Sequence, residues 1–182
     1  MSDAAPIHPA LAPLARAAQA FGKAVENARG TGTVGPRPDH LVEALGHAVG
    51  EGRGWLRPEH RVGDPVRYMR HLLYVDPDDG FVITAIAWLP GQQSPVHAHY
   101  VWCGYGVAEG ALTEELFRAP GALIEPLGTK AIRAGELAEL DFGGPLYHRV
   151  SNRGDRMLVT LHVYGISADK LTTGINRIYA EQ

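Results

Sequence analysis

The sequence predicts a mainly β domain, a sandwich or barrel, that carries a helical segment at its N-terminal side. Three observations predict it. Apolar residues recur at helical spacing near the start, and from Val66 onward the pattern turns to short β-like runs. Gly or Pro separates those runs at regular spacing, as in all-β barrels and sandwiches. Hydrophobic residues make up 45% of the 182-residue chain, enough to give one domain a real core.

Each element follows from its residues. Leu11, Leu14, Ala18, Phe21 and Val25 step by three and four, which places them on one face of a first helix. The run from Arg29 to Pro38, rich in Gly, Thr and Pro, reads as a loop. Asp39 is the expected N-cap of a second helix bearing Leu41, Leu45 and Val49, ended by Gly50, Gly52 and Gly54. A short helical turn is expected at Pro58 to Arg61. Strands are expected at Arg67 to Val75 and Phe81 to Leu89, with Asp76-Pro77-Asp78-Asp79-Gly80 turning between them. Further strands are expected at Val96 to Tyr100, Tyr105 to Ala108, Ala111 to Phe117, Lys130 to Arg133, Leu137 to Leu140, His148 to Ser151 and Met157 to Tyr164. No internal repeat is found. The division expected is a helical segment over 1–62 packed on a β domain over 63–182.

Composition excludes several classes. The formal charge is −3 with no basic run, which argues against nucleic acid as a partner. No apolar stretch is long enough to span a membrane, and Pro6, Pro9 and Pro13 interrupt the start, so neither a membrane anchor nor a signal peptide is expected. The single cysteine, Cys103, forbids an intrachain disulfide, and a reducing cytoplasm is the simple expectation.

The chemistry concentrates at Gly91-Gln92-Gln93-Ser94-Pro95-Val96-His97-Ala98-His99. On a strand, residues i and i+2 share a face, so His97 and His99 project together and Ala98 points away. Two imidazoles on one face can chelate a metal, and a third ligand from another strand would leave coordination positions open for substrates. Imidazole suits iron, zinc, copper and nickel, so ligand type alone does not name the ion. The competing reading of a lone His-x-His is a pair of surface histidines. No general-base carboxylate lies beside the motif, although Glu109 and Glu114 are not far along the chain.

These residues resemble the first cupin signature: a glycine, five residues, His-x-His, three or four residues, a glutamate, six residues and a glycine. Gly91, His97, His99 and Gly110 fit, and Cys103 stands where the glutamate would be. His148-Arg149-Val150-Ser151-Asn152 fits the close of the second signature, with His148 as its ligand. Gly135 fits upstream, but Asp141 replaces the usual proline, and Gly143 and Gly144 lie further from His148 than the pattern asks. The resemblance implies a cupin-type double-stranded β-helix barrel. It also implies a ligand set of three neutral histidines without the usual glutamate, which leaves a bound divalent ion more positive and more attractive to a thiolate.

Between Tyr68 and Gly165 the chain resembles the cysteine dioxygenase family of thiol dioxygenases. Four segments carry the resemblance: Tyr68-Met69-Arg70-His71-Leu72-Leu73, Pro95-Val96-His97-Ala98-His99-Tyr100-Val101-Trp102-Cys103, His148-Arg149-Val150, and Leu161-His162-Val163-Tyr164-Gly165. Ala98 replaces a frequent aspartate, and Thr160 replaces the serine of the family's Ser-x-His-x-Tyr element while keeping the hydroxyl. The resemblance implies Fe(II) on His97, His99 and His148. It places the Tyr164 hydroxyl near the reacting atoms, oriented by His162 and Thr160. Cys103 aligns with the cysteine that in some members is joined to the active-site tyrosine by a thioether. Arg70, supported by Tyr68, aligns with the group that binds the substrate carboxylate. The implied reaction adds both atoms of dioxygen to a small thiol, with L-cysteine favoured, to give a sulfinic acid. The alternatives are 3-mercaptopropionate or mercaptosuccinate as substrate, or a metal-binding cupin without oxygen chemistry. His71 is expected on the opposite face from Arg70, and His8, His40, His47 and His60 are expected to face solvent or cap helices. Trp102 is expected in a wall or the core.

Overall fold

The computed structural model describes residues 7–31, 38–119, 124–138 and 146–179. Two helices come first, α1 (Ala12–Thr31) and α2 (Asp39–Gly50), then a four-residue helix α3 (Gly52–Trp55). Nine strands follow among the described residues: β1 (Met69–Val75), β2 (Val82–Trp88), β3 (His97–His99), β4 (Cys103–Glu109), β5 (Ala111–Arg118), β6 (Glu125–Arg133), β7 (Leu146–Ser151), β8 (Leu158–Tyr164) and β9 (Asn176–Ile178). They form two antiparallel sheets, ordered β1-β2-β8-β4 and β6-β5-β7-β3-β9. One apolar cluster joins Val82, Trp88, Val107 and Leu158 of the first sheet to Leu112, Ile132 and Val150 of the second. The fold is therefore mainly β, the double-stranded β-helix expected.

Alternation along β2 and β8 explains how one sheet serves two cores. Every residue of both strands is buried, the pattern of strands covered on both faces. Ile83, Ala85, Val159, Leu161 and Val163 face outward onto Leu14, Ala18, Phe21, Leu41 and Leu45 of the helices. Val82, Ile86, Trp88, Leu158 and Tyr164 face the barrel interior. The helices thus cover the outer face of the first sheet. Leu11, Leu14, Ala18, Phe21, Leu41, Leu45 and Val49 are buried as their spacing predicts, and Val25 packs half-buried against them. Full burial of one leucine contributes about 1.5–3 kcal/mol.

Tight geometry at two glycines shapes the barrel. Gly110, in the turn between β4 and β5, has φ +86°, a conformation that an L side chain adopts only with strain. A Cβ on Gly165 would lie 2.1 Å from the Trp102 indole nitrogen. Trp102 therefore seals the end of β8, buried and edge-on to Phe21 at 5.2 Å.

The structure corrects several expectations. Pro38 takes the N-cap of α2, and Asp39 is its first residue, with its charge in the first turn. Helix α2 ends at Gly50 as expected, but Gly52 and Gly54 then lie within the short α3. Leu137 forms only an isolated bridge to Gly106 in place of a strand, and positions 139 and 140 lie outside the described residues. So do Asp141, Gly143 and Gly144 and most of the expected loop after α1. Strand β6 begins five residues before Lys130; as an exposed edge it lacks apolar alternation. Strand β9 was not expected at all, because three partly exposed residues carry no periodicity.

Candidate metal centre

The ligand strands belong to the second sheet. His97 and His99 sit two apart on β3, and His97 is the register partner of His148 on β7. Period-two geometry aims all three into the barrel. Ring centroids lie 5.0 Å apart for His97 and His99, 4.5 Å for His97 and His148, and 5.1 Å for His99 and His148. One ligand nitrogen from each lies within 4.8 Å of the others, and all three residues are buried. The tautomers follow from the partners. His97 Nδ1 lies 2.9 Å from the Pro95 carbonyl, which only accepts, so Nδ1 carries the proton and Nε2 is the ligating nitrogen. His148 Nδ1 lies 2.8 Å from a Glu114 carboxylate oxygen, and its Nε2 is buried with no hydrogen-bond partner. A buried imidazole nitrogen without a partner, aimed at two other imidazoles, is what a metal ion satisfies. The three histidines form a metal-binding site.

Sheet one supplies the opposite wall. Strand β8 presents Thr160, His162 and Tyr164 inward at alternate positions. His162 Nε2 lies 2.8 Å from Thr160 Oγ1, and His162 Nδ1 lies 2.9 Å from Tyr164 Oη. The Trp88 indole N–H donates to Thr160 Oγ1 at 3.0 Å and fixes the far end of the chain. Tyr105 stacks on His162 at 4.9 Å with planes 5° apart. Burial first, then the Arg70 charge, holds His162 well below the usual imidazole range. Burial first, then Cys103, holds the Tyr164 hydroxyl well above its ordinary range, against an opposing pull from Arg70. Both groups are therefore neutral near pH 7. The proton chain runs in either direction with the tautomer of His162, so Tyr164 Oη either donates to His162 Nδ1 or accepts from it.

The expected carboxylate anchor borders the same space. Arg70 on β1 donates to the Leu171 carbonyl at 3.5 Å, hydrogen-bonds Tyr164, and keeps its buried Nε without a partner. Tyr68 packs on Trp88 with ring centroids 4.3 Å apart. A cavity of about 20 Å³ lies among His97, His99, His148, Tyr164, Arg70 and Tyr68. That volume admits about one water-sized species. Tyr68, Arg70 and Asn176 also line an outer cleft of about 560 Å³, shared with Arg67, Leu171 and Ile175. Cys103 is buried on β4 as the register partner of Tyr164. His71 turns away from this cavity onto the Val62 carbonyl at 2.8 Å. His8 and His60 accept hydrogen bonds from the backbone of helical turns, and His40 and His47 are exposed.

Sequence reasoning noted Glu114 only as not far along the chain and missed Tyr105 and Trp88. Glu109 is tied to Arg61 at 2.7 Å, whereas Glu114 is buried against His148, the ligand outside the His-x-His motif. The signal was its position, since period two along β5 puts Glu114 on the face of buried Leu112. Burial raises the Glu114 carboxyl, but hydrogen bonds from His148 and Tyr105, with the Lys130 ammonium at 3.0 Å, outweigh it and hold the group at about 2.

No family model matches the chain. Similar solved structures include TT1209 from Thermus thermophilus, at 18% identity over 59% of this chain and 91% of that one, with a TM-score of 0.48. An uncharacterized conserved protein with a double-stranded β-helix domain from Klebsiella pneumoniae subsp. pneumoniae MGH 78578 matches at 16% identity over 67% and 92%, with a TM-score of 0.49. Lactobacillus farciminis oxalate decarboxylase matches at 14% identity over 63% and 32%, with a TM-score of 0.46. At such identities the chemistry has to be read from this chain's own side chains.

Proposed function

We propose that this protein is an Fe(II)-dependent thiol dioxygenase that converts a small carboxylate-bearing thiol, L-cysteine foremost, and dioxygen to the sulfinic acid. One observation carries the reading: the three-imidazole face, the Arg70 guanidinium and the Tyr164 hydroxyl border a single small cavity. A metal site that only stored or sensed an ion has no use for a guanidinium with a buried, unpartnered N–H beside it.

His97, His99 and His148 hold the ion, and Fe(II) there supplies the redox chemistry that joins dioxygen to sulfur. Zinc fits the same ligands but has no redox chemistry. The overall step is balanced: the thiol gains both oxygen atoms, its sulfur is oxidised by four electrons, and dioxygen is reduced by the same four. The chain's own groups do the rest. Arg70, which also lines the outer cleft of about 560 Å³, anchors the substrate carboxylate from that cleft through Nε–H and so pre-orients the thiol toward the three histidines. Tyr68 flanks that carboxylate. Tyr164 Oη and His162 Nδ1 hold a proton between them, with Thr160 and Trp88 fixing the imidazole. Ile86, Trp88 and Val150 wall the cavity with apolar surface.

Residues 63–182 constitute the dioxygenase domain in this reading, and 1–62 its helical cover, at work in a reducing cytoplasm on no larger partner than the thiol and dioxygen. A second reading keeps the chemistry and changes the thiol to mercaptosuccinate, because Arg67 lines the outer cleft beyond Arg70 and suits a second carboxylate. Oxygen uptake by iron-loaded protein tests both, with cysteine, cysteamine, 3-mercaptopropionate and mercaptosuccinate as substrates. The sulfinic product is identified by mass. Cysteine should be consumed one-for-one with oxygen, and no uptake with any of the four thiols would remove the proposal.

A further inference from the structure

The ligand set of three neutral imidazoles leaves a bound divalent ion without an anionic partner. Glu114 is a carboxylate that touches a ligand, through His148 Nδ1 at 2.8 Å. It is almost fully buried, and a buried carboxylate is unfavourable unless it is paired and hydrogen-bonded. Three strands supply its partners. Tyr105 on β4 donates its hydroxyl, His148 on β7 donates Nδ1–H, and Lys130 on β6, its register partner, brings Nζ to 3.0 Å. An ion pair with Lys130 alone would hold the sheet together and leave His148 unconstrained. Here one oxygen is given to His148 and Tyr105, and the other to Lys130.

We propose that Glu114 is a positioning residue of the metal centre, whose carboxylate orients His148, fixes its Nε2 as the ligating nitrogen and lends the ion the negative charge the three imidazoles lack. A hydrogen-bonded carboxylate makes an imidazole a more basic ligand, and loss of such a partner costs about 10–100-fold in metal affinity. Lys130 reaches the same carboxylate from a half-exposed position on the edge strand. It neutralises part of the carboxylate's charge when the site is empty, while His148 and Tyr105 hold the carboxylate in place.

This inference rests on the three-histidine site and is independent of which substrate the enzyme takes, so its test reads metal binding. Fe(II) and Co(II) affinities are measured on the full chain by chelator competition, beside the visible spectrum of the Co(II) form and the Tm of the metal-free protein. Glu114→Ala should weaken both ions about 10–100-fold and shift the Co(II) bands. Glu114→Gln keeps an acceptor oxygen without the charge and should fall between. Lys130→Met should retain affinity within about threefold, whereas a purely structural pair would make it equivalent to Glu114→Ala. In the Zn(II) form, the slowly exchanging Nδ1 proton of His148 should vanish from the NMR spectrum of Glu114→Ala. Wild-type affinity and Co(II) spectrum in folded Glu114→Ala overturn the proposal, and in Glu114→Gln they do so if the alanine variant does not fold. His148→Ala is the control: full metal content there would mean that the metal site itself is wrong, whereas its loss beside an unaffected Glu114→Ala sinks this inference alone.

Discussion

Cys103 and Tyr164 stand opposite each other in register across β4 and β8, both buried and both on the inner face of the barrel. Side chains so paired have Cβ atoms about 4.5–5.5 Å apart, within reach of one another. Oxidative joining of the thiol to the Tyr164 ring would form a C–S bond and remove two hydrogens, with dioxygen as the oxidant at the iron-loaded site. Protein turned over with iron, thiol and air is expected to be two hydrogens lighter in intact mass than protein kept anaerobic. Active enzyme at full unmodified mass would show that the pair works unlinked.

Arg70 should act on substrates that carry a carboxylate and ignore those that do not. Its Nε–H is buried without a partner, ready for an anion. Glutamine at this position offers one neutral donor in place of a charged fork. The change Arg70→Gln is expected to lower kcat/KM for cysteine by about 10–100-fold, the worth of a charge-assisted hydrogen bond. Cysteamine, which has no carboxylate, is the internal control, and an equal loss on cysteamine would mean that Arg70 acts on something other than the substrate.

Thr160 holds the far end of the Tyr164–His162 chain and takes the indole proton of Trp88 as well. Replacing it by valine keeps the volume but strands the buried Trp88 N–H and leaves His162 Nε2 without its partner. Thr160→Val should lose about 1–3 kcal/mol of stability and lower kcat more than KM, and Thr160→Ser should restore both. Equilibrium denaturation and steady-state kinetics on the three proteins decide it; a valine variant with unchanged kcat would leave the chain without a role in turnover.

Acid should weaken the second sheet through Glu115. Its carboxyl is held below the usual range first by hydrogen bonds from Arg149 at 2.9 and 3.2 Å, with burial opposing, and then by the charges of Arg149 and Arg153. A depressed carboxylate contributes stability that is fully present above its unfolded-state pKa and is lost as pH falls through the folded one. Both guanidiniums are partly in solvent, so the contribution is about 1 kcal/mol and shrinks with salt. Urea midpoints of the wild type should exceed those of Glu115→Gln at neutral pH and converge with them well below the ordinary carboxylate value of 4.5. A constant gap down to strong acid would assign the difference to packing.

Much of the site was legible because its signals are local. Spacing two apart puts His97 and His99 on one face, and the same spacing aligns Thr160, His162 and Tyr164. Apolar steps of three and four place Leu14, Ala18 and Leu45 in the core. What stayed hidden depends on neighbours distant in the chain. Glu114 meets His148 only because β5 pairs with β7, 34 residues away. Trp88 reaches Thr160 across 72 residues, and Arg70 reaches Leu171 across 101. Strand β9 is too short and too exposed to carry a pattern, yet it flanks β3 and so backs His97 and His99.

Strand β8 is a plank with two tenants. Val159, Leu161 and Val163 belong to the helical cover, while Thr160, His162 and Tyr164 between them belong to the inner side that faces the three histidines. A slip of even one position along this strand would exchange the two sets and take the Thr160–His162–Tyr164 chain out of the barrel interior. The grip of the helices on the outside is therefore what keeps the inside in tune, and random changes in that grip should surface as altered turnover before they surface as unfolding.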